Sequence, residues 1–165
     1  MINDTNNAGT GRVGVISDTH GLLRPEALDR LHGCDHIIHG GDIGNAGILT
    51  ALAGIAPLTV VRGNNDRQDW TQAIPASARL TIAGVGIFVV HDISDARSDP
   101  LADGARVVIT GHSHKPSVAD RDQVLYLNPG SAGPRRFKLP ISLAELHIAN
   151  GEVSARIFDL TPCVR

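Results

Sequence analysis

Five times along this chain a short run of Val, Ile and Leu stops at a loop that carries Asp, Asn or His. Val13-Gly14-Val15-Ile16 gives way to Asp18-Thr19-His20-Gly21, and His36-Ile37-Ile38-His39 to Gly40-Gly41-Asp42. A third run, 58–62, stops at Gly63-Asn64-Asn65-Asp66. Ile87-Phe88-Val89-Val90 closes in His91, and Val107-Val108-Ile109 leads to Gly111-His112-Ser113-His114. Runs this short and this rich in β-branched residues suit strands buried on both faces. Between the first three lie two helical segments. Pro25–Leu31 is opened by proline and stopped by Gly33, and Ala46–Ala53 follows Asp42. Strand, polar loop and helix in repetition are the signature of an α/β fold with parallel strands. Such sheets bind ligands where loops leave the carboxyl ends of the strands, so the polar loops are expected to converge.

The second half is richer in strands. Segments 78–83 and 86–91 flank a Gly-containing turn and read as a hairpin. Segments 106–110 and 124–127 each read as a strand, the latter feeding Asn128-Pro129-Gly130-Ser131. Segments 142–148 and 152–160 flank Asn150-Gly151, a dipeptide that favours a type I′ turn. So many strands in 165 residues point to two sheets packed face to face with helices outside, in one domain. Residues 1–11 are polar and are expected to be a flexible tail; 12–165 form the domain. With only 3% aromatic residues, the core must be built from Val, Ile, Leu and Ala.

Several function classes are disfavoured. No stretch approaches the ~20 apolar residues needed to cross a bilayer, and the polar start lacks the apolar core of a signal peptide. The chain therefore reads as cytoplasmic, with no membrane partner. A net charge of −2 with no long Lys/Arg run argues against nucleic acid as a partner. Cys34 and Cys163 stand far apart and read as ordinary thiols.

Asp18, His20, Asp42, Asn64, His91, His112 and His114 together offer seven oxygen and nitrogen donors at five strand ends. A mixture of carboxylate, amide and imidazole without thiolate suits a hard or borderline divalent cation. Asp18 and His20 can share an ion, as can His112 and His114, and one carboxylate such as Asp42 can bridge two. Two ions ~3.5–4 Å apart clamp the attacking and leaving oxygens of a phosphoryl displacement.

The ordered set Asp-x-His, Gly-Asp, Gly-Asn-x-Asp, His and Gly-His-x-His resembles the calcineurin-like metallophosphoesterases. With Asn128-Pro129-Gly130-Ser131 and a C-terminal hairpin, it resembles their small bacterial and archaeal phosphodiesterase branch. The resemblance implies a four-layer α/β/β/α sandwich of two mixed sheets flanked by helices. It implies a first metal on Asp18, His20 and His114, a second on Asn64, His91 and His112, and Asp42 shared by both. Manganese is the leading ion, with iron, nickel and zinc also used in the family. The implied reaction is hydrolysis of a small-molecule phosphoester, foremost a phosphodiester or nucleotide, by in-line attack of a metal-bridging hydroxide. Asp18, Asp42, Asn64 and His91 then form the catalytic set, with Asn64 and Asn65 against the substrate and the amides of Gly41 and Gly63 as further phosphate donors. Homo-oligomers are compatible with the family. A phosphomonoesterase shares the same metal site, and a small retromer subunit shares the fold as a scaffold with little or no catalysis. The scaffold reading is disfavoured because all seven ligand positions are present, and a nuclease because the chain lacks room for further domains.

This sequence departs from the family at Asn65, where many relatives carry a His that protonates the leaving oxygen. An amide cannot act as an acid near neutral pH, and general acid catalysis is worth ~10²–10⁴-fold. Asp92 follows His91 where Gly is common; it either supports a ligand His or faces water. Asp66 either orients a neighbour or stabilises its turn. Among the remaining polar residues, His39 is expected to be buried and hydrogen-bonded rather than a ligand. His32, His36 and His147 carry little functional weight. Arg62, Arg135 and Arg136 could meet a phosphate but read rather as solvated, and Trp70 and Phe137 could line a pocket but read rather as core.

Overall fold

Alternation along the strands explains how the layers form. In a computed structural model that describes residues 9–96 and 103–162, Val13, Val15 and Ile38 turn to one side of their strands and Ile16 and Ile37 to the other. Strand β1 (Thr10–Ile16) pairs in parallel with β2 (His36–His39), and β2 with β3 (Leu58–Val60). The hairpin of β9 (Ser142–Ala149) and β10 (Glu152–Asp159) adds to the free edge of β1, giving the order β10-β9-β1-β2-β3. Its turn is formed by Asn150 at φ 53° and Gly151 at φ 80°, the left-handed pair expected of that dipeptide.

The second sheet has the order β4-β5-β6-β8-β7. Its parallel centre is β5 (Val85–Val90), β6 (Ala105–Ile109) and β8 (Val124–Asn128), with β4 (Ser77–Ile82) and β7 (Ser117–Arg121) antiparallel at the edges. The inner faces meet in one aliphatic layer. Val13, Val15 and Leu146 from the first sheet pack with Ile87, Val107, Ile109 and Leu127 from the second, all buried. Each such side chain contributes ~1.5–3 kcal/mol. Helices α1 (Pro25–Leu31) and α2 (Ala46–Ala53) cover the outer face of the first sheet through Leu31, Ile48 and Leu52. On the outer face of the second sheet, Phe88, Val90 and Val108 are met among the described residues by Ala96, just past a single 3-10 turn, Ile93–Asp95. Two mixed five-stranded sheets packed face to face match the expected sandwich.

Three details differ from the sequence reading. Strand β1 begins at Thr10, so Thr10 and Gly11 pair with Ala149 and Ile148 rather than belonging to the tail; residues 1–8 lie outside the described residues. Strand β3 ends at Val60, because the amide of Arg62 turns to the carbonyl of Pro75. Strand β7 carries no apolar pattern and closes on β8 through Asp122 and Gln123, both left-handed without a glycine to mark the turn. Cys34 is buried and free, and Cys163 lies outside the described residues.

Candidate metal centre

The loops that leave β1, β2, β3, β5 and β6 meet at one edge of the sandwich. The backbone is tightly constrained there: Asp18, His20, Asp42, His112 and His114 all adopt φ between 45° and 70°. That region costs a non-glycine residue ~1–3 kcal/mol, and it clusters where side chains must be aimed. Gly63 permits the closest approach, since a Cβ there would sit 2.1 Å from Asp42 Oδ1.

Seven of the polar side chains singled out from the sequence come together. Asp18 Oδ1 lies 3.3 Å from His114 Nε2, 3.7 Å from His20 Nε2 and 4.0 Å from His91 Nε2. Asp42 Oδ2 lies 3.7 Å from His20 Nε2 and 3.3 Å from His91 Nε2, so that single oxygen faces both halves of the cluster. Asn64 Oδ1 lies 3.0 Å from His91 Nε2 and 3.1 Å from His112 Nδ1. Two ligands each ~2.1 Å from one ion stand about 3.0–3.4 Å apart, and several of these separations fall in that window.

Hydrogen bonding gives a sharper test of whether a cation fits. The carbonyl of Gly40 can only accept, so His91 Nδ1, 2.7 Å away, carries a hydrogen. The lone pair of neutral His91 is then on Nε2, facing the oxygens of Asp42 and Asn64. Such a contact is unfavourable unless a proton or a metal ion stands between. Burial alone would depress the pKa of His91, yet the carboxylates of Asp42 and Asp18 raise it to about 9. On the other side, Asp18 Oδ1 is buried and accepts no hydrogen bond. Burial would raise the Asp18 pKa, but His114, His20 and Ser17 hold it well below the usual carboxylate range. Asp42 is held at about 2, against the effect of burial, by His91 and by Asn65. These donors fit divalent cations, with Asp18, His20 and His114 forming one group and Asp18, Asp42 and His91 an overlapping one.

Around the donors stands a set of supports, of which the sequence anticipated His39 and left Asp66 and Asp92 open. Asp66, buried, accepts the amides of Asp42, Ile43 and Gly63 at 2.8–2.9 Å, and so ties the β2 loop to the β3 loop. His39, fully buried, accepts the amide of Gly41 on Nδ1 and donates from Nε2 to Thr19, whose hydroxyl donates to the carbonyl of Ile43. Burial drives its pKa down to about 4, so it is neutral, as the sequence reading expected. Asn128 holds the carbonyl of Gly111 and the hydroxyl of Ser113, and Ser131 donates to the carbonyl of Asp18. Asp92 lies 3.4 Å from His112 Nε2 while capping the turn that follows.

Some expectations change. The amides of Gly41 and Gly63 are already taken by His39 and Asp66 and cannot serve as phosphate donors. Asn65, expected against substrate, donates its backbone and side-chain amides to the two oxygens of Asp42 at 2.9 Å. Trp70 packs into the helical layer, whereas Phe137 is 93% exposed rather than part of a core.

Beside Asn64, His91 and Asp92 opens a cleft of about 560 Å³ that is also lined by Arg62 and Phe88. The sequence profile of the calcineurin-like phosphoesterase superfamily domain matches residues 12–151. The chain belongs to that superfamily. This superfamily member is 34% identical to a probable metallophosphoesterase of Methanothermobacter thermautotrophicus over 157 residues, covering 88% of this chain and 90% of the relative. Among solved structures, an archaeal phosphodiesterase superposes with a TM-score of 0.74 at 22% identity, covering 89% of this chain and 99% of that one. Vps29 of Entamoeba histolytica complexed with zinc superposes with a TM-score of 0.69 at 21% identity, covering 90% and 98%. Both likenesses are of fold. No helix among the described residues is long and apolar enough to cross a membrane.

Proposed function

We infer that the chain is a phosphodiesterase acting on small phosphodiesters or nucleotides with two divalent cations, manganese foremost. The observation that carries this reading is the facing of His91 Nε2, Asn64 Oδ1 and Asp42 Oδ2 across distances of 3.0–3.3 Å, beside the buried Asp18 Oδ1, which accepts no hydrogen bond. Asp18, His20 and His114 would hold one ion, Asn64, His91 and His112 the other, and Asp42 would serve both. Bound there, the ions supply a water acidified towards neutrality and positive charge against the phosphate oxygens.

The chain's own groups do the rest. Gly40 fixes the ring of His91 so that Nε2 points inward. Asn65 fixes the two oxygens of Asp42 and so holds that carboxylate in one orientation. The cleft at Asn64 admits one ester substituent from the solvent side. No general acid stands at Asn65, so the departing oxygen must leave largely unprotonated. Aryl esters, whose leaving groups are already weak bases, are therefore favoured over alkyl esters.

The test is a panel of phosphate esters assayed with each divalent metal. Bis(4-nitrophenyl) phosphate is expected to be hydrolysed with added manganese or nickel, and Asp42→Ala to lower the rate by roughly 10³-fold or more, the loss of several kcal/mol of charge stabilisation. Hydrolysis that survives in Asp42→Ala, or that persists after chelation, would refute the reading. Metal binding with no hydrolysis across the panel would favour a scaffold.

A further inference from the structure

Beside the loop that carries His112 and His114 lies a second surface, reached through Ser113, that shares no lining residue with the Arg62 cleft. The loop after Ser131 makes a tight turn in which the amide of Leu139 donates to the carbonyl of Arg136 at 3.1 Å. The first central residue of this turn is Phe137, at φ 52°. Glycine usually takes a position of that kind, and bulky side chains rarely do. The turn is braced by Arg135, whose Nε donates to the carbonyl of Leu139. This geometry holds the ring in solvent, 93% exposed.

Phe137 forms one wall of a groove of about 830 Å³ shared with Ser113, Lys115, Lys138 and Leu139. Ser113 sits between the two ligand histidines His112 and His114, so the groove adjoins the metal loop directly. Its charged members are both cations, and no acid lines it. The ammonium groups of Lys115 and Lys138 have no ion-pair or hydrogen-bond partner among the described residues. An aromatic face beside unpaired cations, next to a phosphate-cleaving centre, matches one ligand chemistry in particular. A nucleotide presents a flat ring to stack and an anionic backbone to neutralise. One phenyl ring offers far less than the ~800 Å² per partner of a stable protein interface, so a macromolecular partner fits less well.

We propose that Phe137 is a stacking platform for a nucleobase, with Lys115 and Lys138 beside its phosphate, which makes the substrate a nucleotide phosphodiester. This rests on the phosphodiesterase reading for its catalytic half only. Base stacking on an aromatic ring is worth roughly tenfold or more in affinity.

The experiment compares two esters with the same leaving group, thymidine 5′-(4-nitrophenyl) phosphate and methyl 4-nitrophenyl phosphate, in wild type and Phe137→Ala with manganese. The KM for the thymidine ester is expected to rise roughly tenfold in the variant, with kcat little changed and the methyl ester unaffected, and Phe137→Trp to restore it. Titration of thymidine 5′-monophosphate and of inorganic phosphate supplies a readout that needs no turnover: the variant is expected to lose nucleotide affinity and keep phosphate affinity. A protein that hydrolyses both esters but shows the same KM values with and without Phe137 overturns the platform and leaves the enzyme intact. A protein that hydrolyses neither, yet binds the nucleotide through Phe137, overturns the enzyme and keeps the platform. Unchanged nucleotide binding in Phe137→Ala overturns the platform in either case and returns the ring to a surface for some other macromolecule.

Discussion

The two ends of the candidate site differ in how far water reaches them. Around Asp18, solvent is nearly excluded: the side chain is 0% exposed, and that of His114 is 5% exposed. Around Asn64 the site is open, and the side chain of His112 is 45% exposed, with Asp92 beside it at 31%. The closed half is built into the sandwich by Ser17, Ser131 and the Asn128 loop, whereas the open half hangs on the ends of β3 and β6 and borders the cleft. Charges in the closed half must therefore balance for the protein to fold well. Those in the open half are left to answer to ligand and solvent.

Removal of one imidazole from each half gives the largest separation. In chelated protein, His114→Ala is expected to cost roughly 2–4 kcal/mol in urea unfolding, because it leaves buried Asp18 short of a compensating partner. His112→Ala should stay within about 0.5 kcal/mol, as exposed substitutions do. Equal losses would erase the distinction between closed and open.

A smaller effect concerns protons. In the metal-free protein His91 keeps its proton up to about pH 9, so a cation binding there must displace it. As pH falls below that value the proton competes better, and metal affinity should weaken by about tenfold per pH unit. Titration calorimetry in two buffers of different ionisation enthalpy should show about one proton released for the ion that His91 would hold at pH 7, and fewer above pH 9. An affinity indifferent to pH across that range would remove His91 from the ligands. The smallest expected change is at Asp92. Asp92→Asn should weaken metal binding by about tenfold, the low end for groups that orient a ligand imidazole, because this carboxylate is partly solvated. No change would return Asp92 to the role of a turn cap alone.

Much of this arrangement was legible in the sequence, for a physical reason. Strands buried on both faces must read as apolar runs, so their ends, and the Asp, Asn and His placed there, stand out against them. The hairpin at Asn150-Gly151 announced itself through turn chemistry. What stayed hidden depends on partners far along the chain. Asp66 reads equally as a turn residue or an orienting one until Asp42 and Ile43, more than twenty positions earlier, are seen to give it their amides. Asn128 reads as part of a loop until it is found holding Gly111. Strand β7 escaped because an exposed edge strand needs no apolar alternation, and Phe137 misled because nothing local in a Phe tells buried from exposed. A left-handed φ at five of the candidate ligand positions has no sequence signal when Asp and His occupy the place of Gly.

The clamp made by Asp66 has a practical consequence. One carboxylate fastens two loops through backbone atoms alone, so the cradle is set before any cation arrives. A domain of this kind is expected to survive stripping and reloading without melting, unlike small folds that collapse with their ion. Which element it carries at a given moment would then follow from what the surroundings offer, and exchange would cost no refolding.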